Sequence, residues 1–292
     1  MVEQKTVPER LFAVFNYCFL AMLSILCVFP LWHIFSVSLS DGSAAAAGLV
    51  TAWPIDFTVD AYRFVLEKPD FFRAFGIAVQ RLLLGVAMNV LIAVLVAYPL
   101  SKEAESFRWR TFYAWAFVFT MLFNGGLIPT YLVIRQLGML DTIWALVLPT
   151  AVPAFLIILL LNFFRGFPKE LEEAAVMDGA GHWLTLWMIY VPLALPALAT
   201  ITVFASVFHW NAWFDGFIYL NRPENFPLQT YLRTVVIQRD VGSVSEMQRW
   251  THVSDRTLMS SQVVLASLPI LLVYPFLQRF FVKGMVLGSV KG

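Results

Sequence analysis

Six apolar runs, each about as long as the roughly 20 residues an α-helix needs to cross a bilayer, dominate this chain and leave few folds open to it. Pro and Gly interrupt the runs. A helical bundle tolerates this because neighbouring helices satisfy the freed backbone groups, whereas an open sheet edge in lipid would have no partner. With 60% hydrophobic and only 13% charged residues, there is too little polar surface to coat a soluble domain. The chain is therefore read as an all-α polytopic membrane protein with six transmembrane helices, near 11–39, 74–100, 108–134, 143–165, 185–214 and 258–282. Lys5 and Arg10 precede the first run as they would a secretory signal, but its apolar core exceeds the ~7–15 residues of such a signal, so a retained helix is expected. In the third run, Asn124-Gly125-Gly126 and Pro129 predict a broken or re-entrant helix.

Six crossings place both termini on one side. Lys and Arg counts barely decide which, because with the N-terminus inside there are ten within and nine without, and Arg81 sits in a span. Position decides better. The loop 101–110 and the two termini hold their cations close to helix ends, whereas five of the outer nine fall in the long segment 215–257, where charge has less influence on topology. Both termini are expected in the cytoplasm, in a multi-pass cytoplasmic (inner) membrane protein. The domains expected are an N-terminal helix with the first extracytoplasmic segment at 1–70, a core at 71–284 with an inner loop at 166–184 and an outer segment at 215–257, and a cytoplasmic tail at 285–292. A net charge of +1 gives no field that would attract nucleic acid. Cys18 and Cys27, both in the first run and at no metal or redox spacing, read as packing residues.

The inner loop is more elaborate than a chain reversal requires. Pro168 suits a first helical position, and Glu170, Glu172 and Glu173 suit the positive end of a helix dipole. Leu171, Ala174, Ala175 and Asp178 recur at helical spacing and form a face of mostly small side chains that another protein could approach closely. Gly179 and Gly181 then permit a sharp turn, and Trp183 and Trp187 suit the interface where the chain re-enters the membrane. Beyond them, Pro192 and Pro196 are placed to kink the next helix. A plain hairpin with interfacial anchors is the simpler alternative.

The run Glu173-Ala174-Ala175, then Asp178-Gly179-Ala180, then Ile189 and Pro192 resembles the E-A-A motif of ABC importer permeases. Val191 stands where many of that family carry Leu. The resemblance implies a type I ABC importer permease fold, with Glu172, Glu173, Ala174, Ala175, Asp178, Gly179 and Ala180 docking on an ATP-hydrolysing subunit. Trp210-Asn211-Ala212-Trp213, Asn225 to Gln229 and the ending Lys283 to Gly292 resemble the carbohydrate importers, particularly the second permease of maltose-type systems. The outer segment and the stretch from Tyr274 to Gly284 are similar to permeases for complex or acidic oligosaccharides, including alginate and pectin fragments.

This sequence has no G-x-x-x-x-G-K-[ST] phosphate loop. No cofactor is expected on the chain, and ATP and Mg belong to a partner ATPase. The partners implied are a related second permease in a heterodimer, two ATP-binding subunits, an extracytoplasmic solute-binding protein and the lipid bilayer, with no nucleic acid. The tail at 286–292 is either a second contact with the ATPases or a mobile terminus.

Candidates for the substrate pathway are fewer. Arg81 is the one charge well inside a span and shares a helical face with Asn89, so it either serves the pathway or snorkels to the nearby interface. Tyr131, Trp210 and Trp213 offer aromatic faces to sugar rings, although most aromatic residues in such a bundle pack or face lipid. Arg222, Arg233, Arg239, Arg249 and Arg256 in the outer segment meet either a binding protein or solvent. An intramembrane hydrolase finds little support in four histidines without H-E-x-x-H or G-x-S-x-G, although Ser206 and His209 share a helix face. The sequence also admits a permease for a non-sugar solute, or a passive channel.

Overall fold

The computed structural model describes residues 7–238 and 253–289, with residues 7, 9, 10, 235–238 and 273–289 as backbone alone. Among the described residues every regular element is a helix. The chain divides into two compact units, Met1–Pro69 with Thr234–Leu268, and Asp70–Arg233 with Pro269–Gly292.

The first unit begins with α1 (Val7–Ser38) and the short helices α2 (Gly42–Ala46) and α3 (Asp60–Leu66). No residue in the apolar window of α1 is buried within the chain. Where α1 ends, serine hydroxyls take over the free backbone groups. Ser36 Oγ donates to the Ala52 carbonyl at 2.9 Å, Ser40 Oγ donates to the Ser36 carbonyl and accepts from the Ile55 amide, and Ser38 Oγ shares a hydrogen bond with the Tyr62 hydroxyl. A small core of Val37, Ala44, Ala45 and Val50 completes this turn.

The second unit carries α4 (Pro69–Ser101), α5 (Arg110–Leu122), α6 (Leu127–Gln136), α7 (Trp144–Val147) continued by a 3₁₀ turn at Leu148–Thr150, and α8 (Ala154–Arg165). Then come α9 (Glu170–Met177), α10 (His182–Thr185), a π-helical turn at Leu186–Tyr190, α11 (Val191–Leu193), α12 (Leu195–Asn211) and α13 (Phe214–Tyr219). Helices α14 (Leu228–Gln238) and α15 (Asp255–Ser289) close the order. The core packs one face of α4 on α8 and on the segment from the π turn to α12, through Ala93, Ala97, Leu156, Ile157, Leu160, Leu161, Ala194, Ala197 and Ile201. From α4, Ala93 and Ala97 are fully buried in this core, and such small side chains let helix backbones approach closely where lipid supplies no hydrophobic drive between them.

Among the described residues, fewer than six spans are evident by length and composition. Leu11–Ser38 and Pro69–Ser101 are long and apolar enough to cross alone, and up to five crossings result if each bent pair counts as one. The third predicted run breaks by 110° between α5 and α6, the fourth by 45° between the α7 segment and α8, and the fifth by 80° between α11 and α12. Each break has a local cause. Gly126 adopts φ 92 at the first, Pro153 caps α8 at the second, and Pro192 and Pro196 flank Ala194 at the third. The last predicted span lies in α15, whose side chains from residue 273 onward are outside the described residues.

Candidate functional site

The inner loop folds into a short helix that starts later than Pro168 predicts, with Lys169 at the N-cap and α9 from Glu170. It ends on a glycine turn. Gly179 takes φ 78, its amide donates to the Val176 carbonyl at 2.9 Å, and the Ala180 amide reaches back to the Ala175 carbonyl at 2.9 Å. This pairing satisfies the last carbonyls of α9 and requires a left-handed residue. Gly181, with φ −76, has no such requirement.

Helix phase divides the seven residues read as a docking set. Glu173, Ala174, Asp178 and Gly179 are exposed and Ala180 is half-buried. For Glu172 and Ala175 the reading changes: Ala175 is buried and Glu172 turns inward to an ion pair, so neither belongs to the outer face. Two residues outside the set take their place there. Val176 and Met177 are 61% and 86% exposed, an apolar tip that the sequence reading did not single out.

The inward face of α9 is clasped to the end of α4. Lys102, 8% exposed, donates from Nζ to Glu172 Oε1 at 2.6 Å and to the Tyr190 hydroxyl at 3.3 Å, and Tyr190 donates to Glu172 Oε2 at 3.0 Å. The ammonium also stands over the rings of Tyr98 and Tyr190, 4.0 and 4.4 Å from their centroids. Burial pushes the Lys102 ammonium down from its usual range, and the Glu172 hydrogen bond opposes this. Outside the clasp, Lys169 pairs with Glu103, which lowers the glutamate and raises the lysine. That pair is exposed and contributes little. The free carbonyls at the end of α4 are taken by cations, Arg165 donating to Leu100 at 3.2 Å and Arg110 to Lys102.

Towards its other end α4 carries a row of buried polar groups at helical spacing. Arg81 is fully buried. It does not snorkel: Nη1 donates to the Ala212 carbonyl at 3.2 Å and to Asp215 Oδ1 at 3.1 Å, and Nη2 pairs with Oδ2. Ala212 is the extended C-cap of α12, so the guanidinium fills a helix end and ties α13 to it. One turn on, Gly85 leaves room for the His209 imidazole, and an added Cβ would overlap the ring. A further turn on, Asn89 donates to the Thr150 and Ala151 carbonyls at 2.7 and 3.1 Å, both freed at the break before Pro153. Its Oδ1 lies 2.9 Å from His209 Nε2, which must be the protonated nitrogen because the Asn89 amide nitrogen faces carbonyls. Gly85→Ala is expected to overpack this seat and cost about 1–3 kcal/mol, read as a lower unfolding temperature of the detergent-solubilised protein. Unchanged unfolding would show that the ring moves aside freely.

The remaining pathway candidates separate by exposure. Trp210 is buried edge-on against Phe75. Tyr131 is half-buried and stacks on Tyr219, with centroids 6.4 Å apart. Trp213 is half-buried, with the Arg233 guanidinium 4.1 Å above its ring. Of the other outer arginines, Arg256 donates to the Ala45 carbonyl within the first unit, and Arg239 and Arg249 lie outside the described residues. A feature that the sequence did not single out is Asp141, which accepts from the Asn221 and Arg222 amides at 2.5 and 3.1 Å and secures the start of the outer segment. Those amides hold its carboxyl below the usual range. Ser206 donates to the Thr202 carbonyl while His209 is engaged with Asn89, so the two form no nucleophile and base pair.

The chain is a member of the family described as the inner membrane component of binding-protein-dependent transport systems, which it matches over residues 5–287. It is 39% identical to the polygalacturonan/rhamnogalacturonan transport system permease protein YtcP of Bacillus subtilis (strain 168), over 98% of this chain and 100% of that one. It is 38% identical to Protein LplC of the same organism, over 98% and 97% of the two chains. Among solved structures it superposes with a TM-score of 0.85 and 34% identity on a chain of a bacterial ABC transporter involved in the import of the acidic polysaccharide alginate, covering 96% of this chain and 100% of that one. This is therefore a membrane-embedded permease, a transport subunit rather than an enzyme, with the type I permease fold.

Proposed function

We propose that this chain and a related second permease form the pathway of an ATP-driven importer for an acidic oligosaccharide, loaded by an extracytoplasmic binding protein. Two separate subunits bind ATP and Mg, and α9 docks on one of them through Leu171, Glu173, Ala174, Val176, Met177 and Asp178. In this reading the chain crosses the membrane six times, with both termini in the cytoplasm. Closure of the ATPase pair displaces α9, and a rigid bundle turns that displacement into alternating exposure of the pathway.

The observation that carries the mechanism is α9 itself, a helix anchored by one face and presenting an apolar tip on the other. The acidic cargo is supported by the relatives named for polygalacturonan and rhamnogalacturonan and by the alginate importer. Reconstitution of the complex with its binding protein tests it. Oligogalacturonate or oligoalginate should stimulate ATP hydrolysis, and stimulation by neutral maltodextrin alone would overturn the acidic assignment. A relative at 28% identity is named for sn-glycerol-3-phosphate transport, so that solute belongs in the same assay as the non-sugar alternative.

A further inference from the structure

We propose that Lys102 is the positioning residue through which movement of α9 reaches α4, so that the loop drives one long helix instead of flexing within its own turns. This rests on the docking role of α9 proposed above. The contact is built for stiffness. A single ammonium is shared between one carboxylate and one hydroxyl, the hydroxyl closes the triangle on the second carboxylate oxygen, and two tyrosine rings flank the charge. Lys102 is 8% exposed, so loss of the Glu172 carboxylate would leave its ammonium poorly reached by water.

Helix α4 is the element on which the rest of the second unit is hung. Its face carries Asn89, which holds the α7–α8 break, Gly85, which seats His209, and Arg81, which holds the α12–α13 junction. At 1.5 Å per residue, Lys102 and Arg81 are roughly 30 Å apart along this axis, comparable with the hydrocarbon thickness of a bilayer. A displacement delivered at Lys102 is thus presented to two helix breaks and to the His209 seat by one continuous helix. The exposed Lys169–Glu103 pair joins the same two segments but is open to water and too weakly held to replace the clasp.

The test uses the complete transporter in proteoliposomes and reads ATP hydrolysed per oligosaccharide taken up. Lys102→Met should raise this ratio about tenfold, within the range by which residues linking two sites modulate coupling, while the ATPase subunits still co-purify. Lys102→Arg should recover at least half of the coupling, because a guanidinium can still donate to Glu172 and lie on the rings. A merely structural role would lower yield and thermal stability but leave the ratio of the inserted protein unchanged, and that result would overturn the proposal. If Lys102→Met is not recovered from membranes, Glu172→Gln and Tyr190→Phe take its place, with the same increase expected and the same unchanged ratio as the contrary result. Met177→Glu separates docking from the clasp. Loss of ATPase co-purification is expected; retention would remove the docking role and the clasp with it. Loss here combined with normal coupling in Lys102→Met would remove the clasp alone.

Discussion

Gly179→Pro should abolish coupled transport while leaving membrane insertion intact. Gly179 sits at φ 78, and proline cannot reach the left-handed region because its ring holds φ near −65°. The substitution also deletes the amide that donates to the Val176 carbonyl, so the last turn of α9 loses its termination and the tip at Val176 and Met177 loses its direction. Strain of this kind costs about 1–3 kcal/mol, and in an exposed loop it is relieved by local unwinding. No neighbouring atom lies within 4 Å of a Cβ at this position, so the bundle has no reason to misfold. Uptake should fall at least about tenfold, with basal ATP hydrolysis by the complex no longer answering to the loaded binding protein. Glu173→Lys should act in the same direction by reversing an exposed charge at the start of α9. Gly181→Ala is the control, since φ −76 and open space admit alanine. Coupling retained in both Gly179→Pro and Glu173→Lys would end the docking assignment.

The second large effect is expected at the other end of α4. Asp215→Ala leaves the Arg81 guanidinium fully buried without its carboxylate, and breaking such a pair from one side costs about 3–5 kcal/mol. Asp215 is itself 24% exposed, which places the expected loss towards the lower end of that range. The double change Arg81→Met with Asp215→Leu removes both charges and should recover most of the stability, as replacement of a buried pair by apolar groups generally does. Unfolding of the detergent-solubilised protein reads both. If Asp215→Ala unfolds like the parent, the pair is not what fixes the α12–α13 junction. If the double variant is stable but does not transport, Arg81 serves the pathway as well as the fold.

How much of this was legible in the sequence depended on range. Apolar length marked the helical segments, and the causes of two breaks were visible as Asn124-Gly125-Gly126 and as Pro192 and Pro196, whereas the break at Pro153 fell inside a segment read as one span. No angle was visible, because a proline frees backbone groups without saying which neighbour will satisfy them. Asn89 takes up the carbonyls of Thr150 and Ala151, a pairing that no local pattern announces. Arg81 was conspicuous as a lone intramembrane charge. Its partner was hidden in what read as the first residue of an outer segment, although a buried cation implies an acid within reach and Asp215 lies directly beyond the predicted fifth span. In the loop, composition identified a short acidic helix, but Glu172 and Glu173 are neighbours in sequence and point to different surroundings. Only the phase of α9 separates the glutamate that anchors from the one that faces out. Val176 and Met177 were passed over because apolar residues are ordinarily assigned to the inside.

The π-helical turn at Leu186–Tyr190 sets the angular position of the clasp. A π turn accommodates one residue more than an α turn would, and one residue of helical phase is about 100°. Were this segment to rewind as ordinary α-helix, the Tyr190 hydroxyl would swing away from Lys102 and Glu172 while the chain stayed continuous. The extra residue in this one turn thus fixes which side of the re-entering helix meets Lys102 and Glu172.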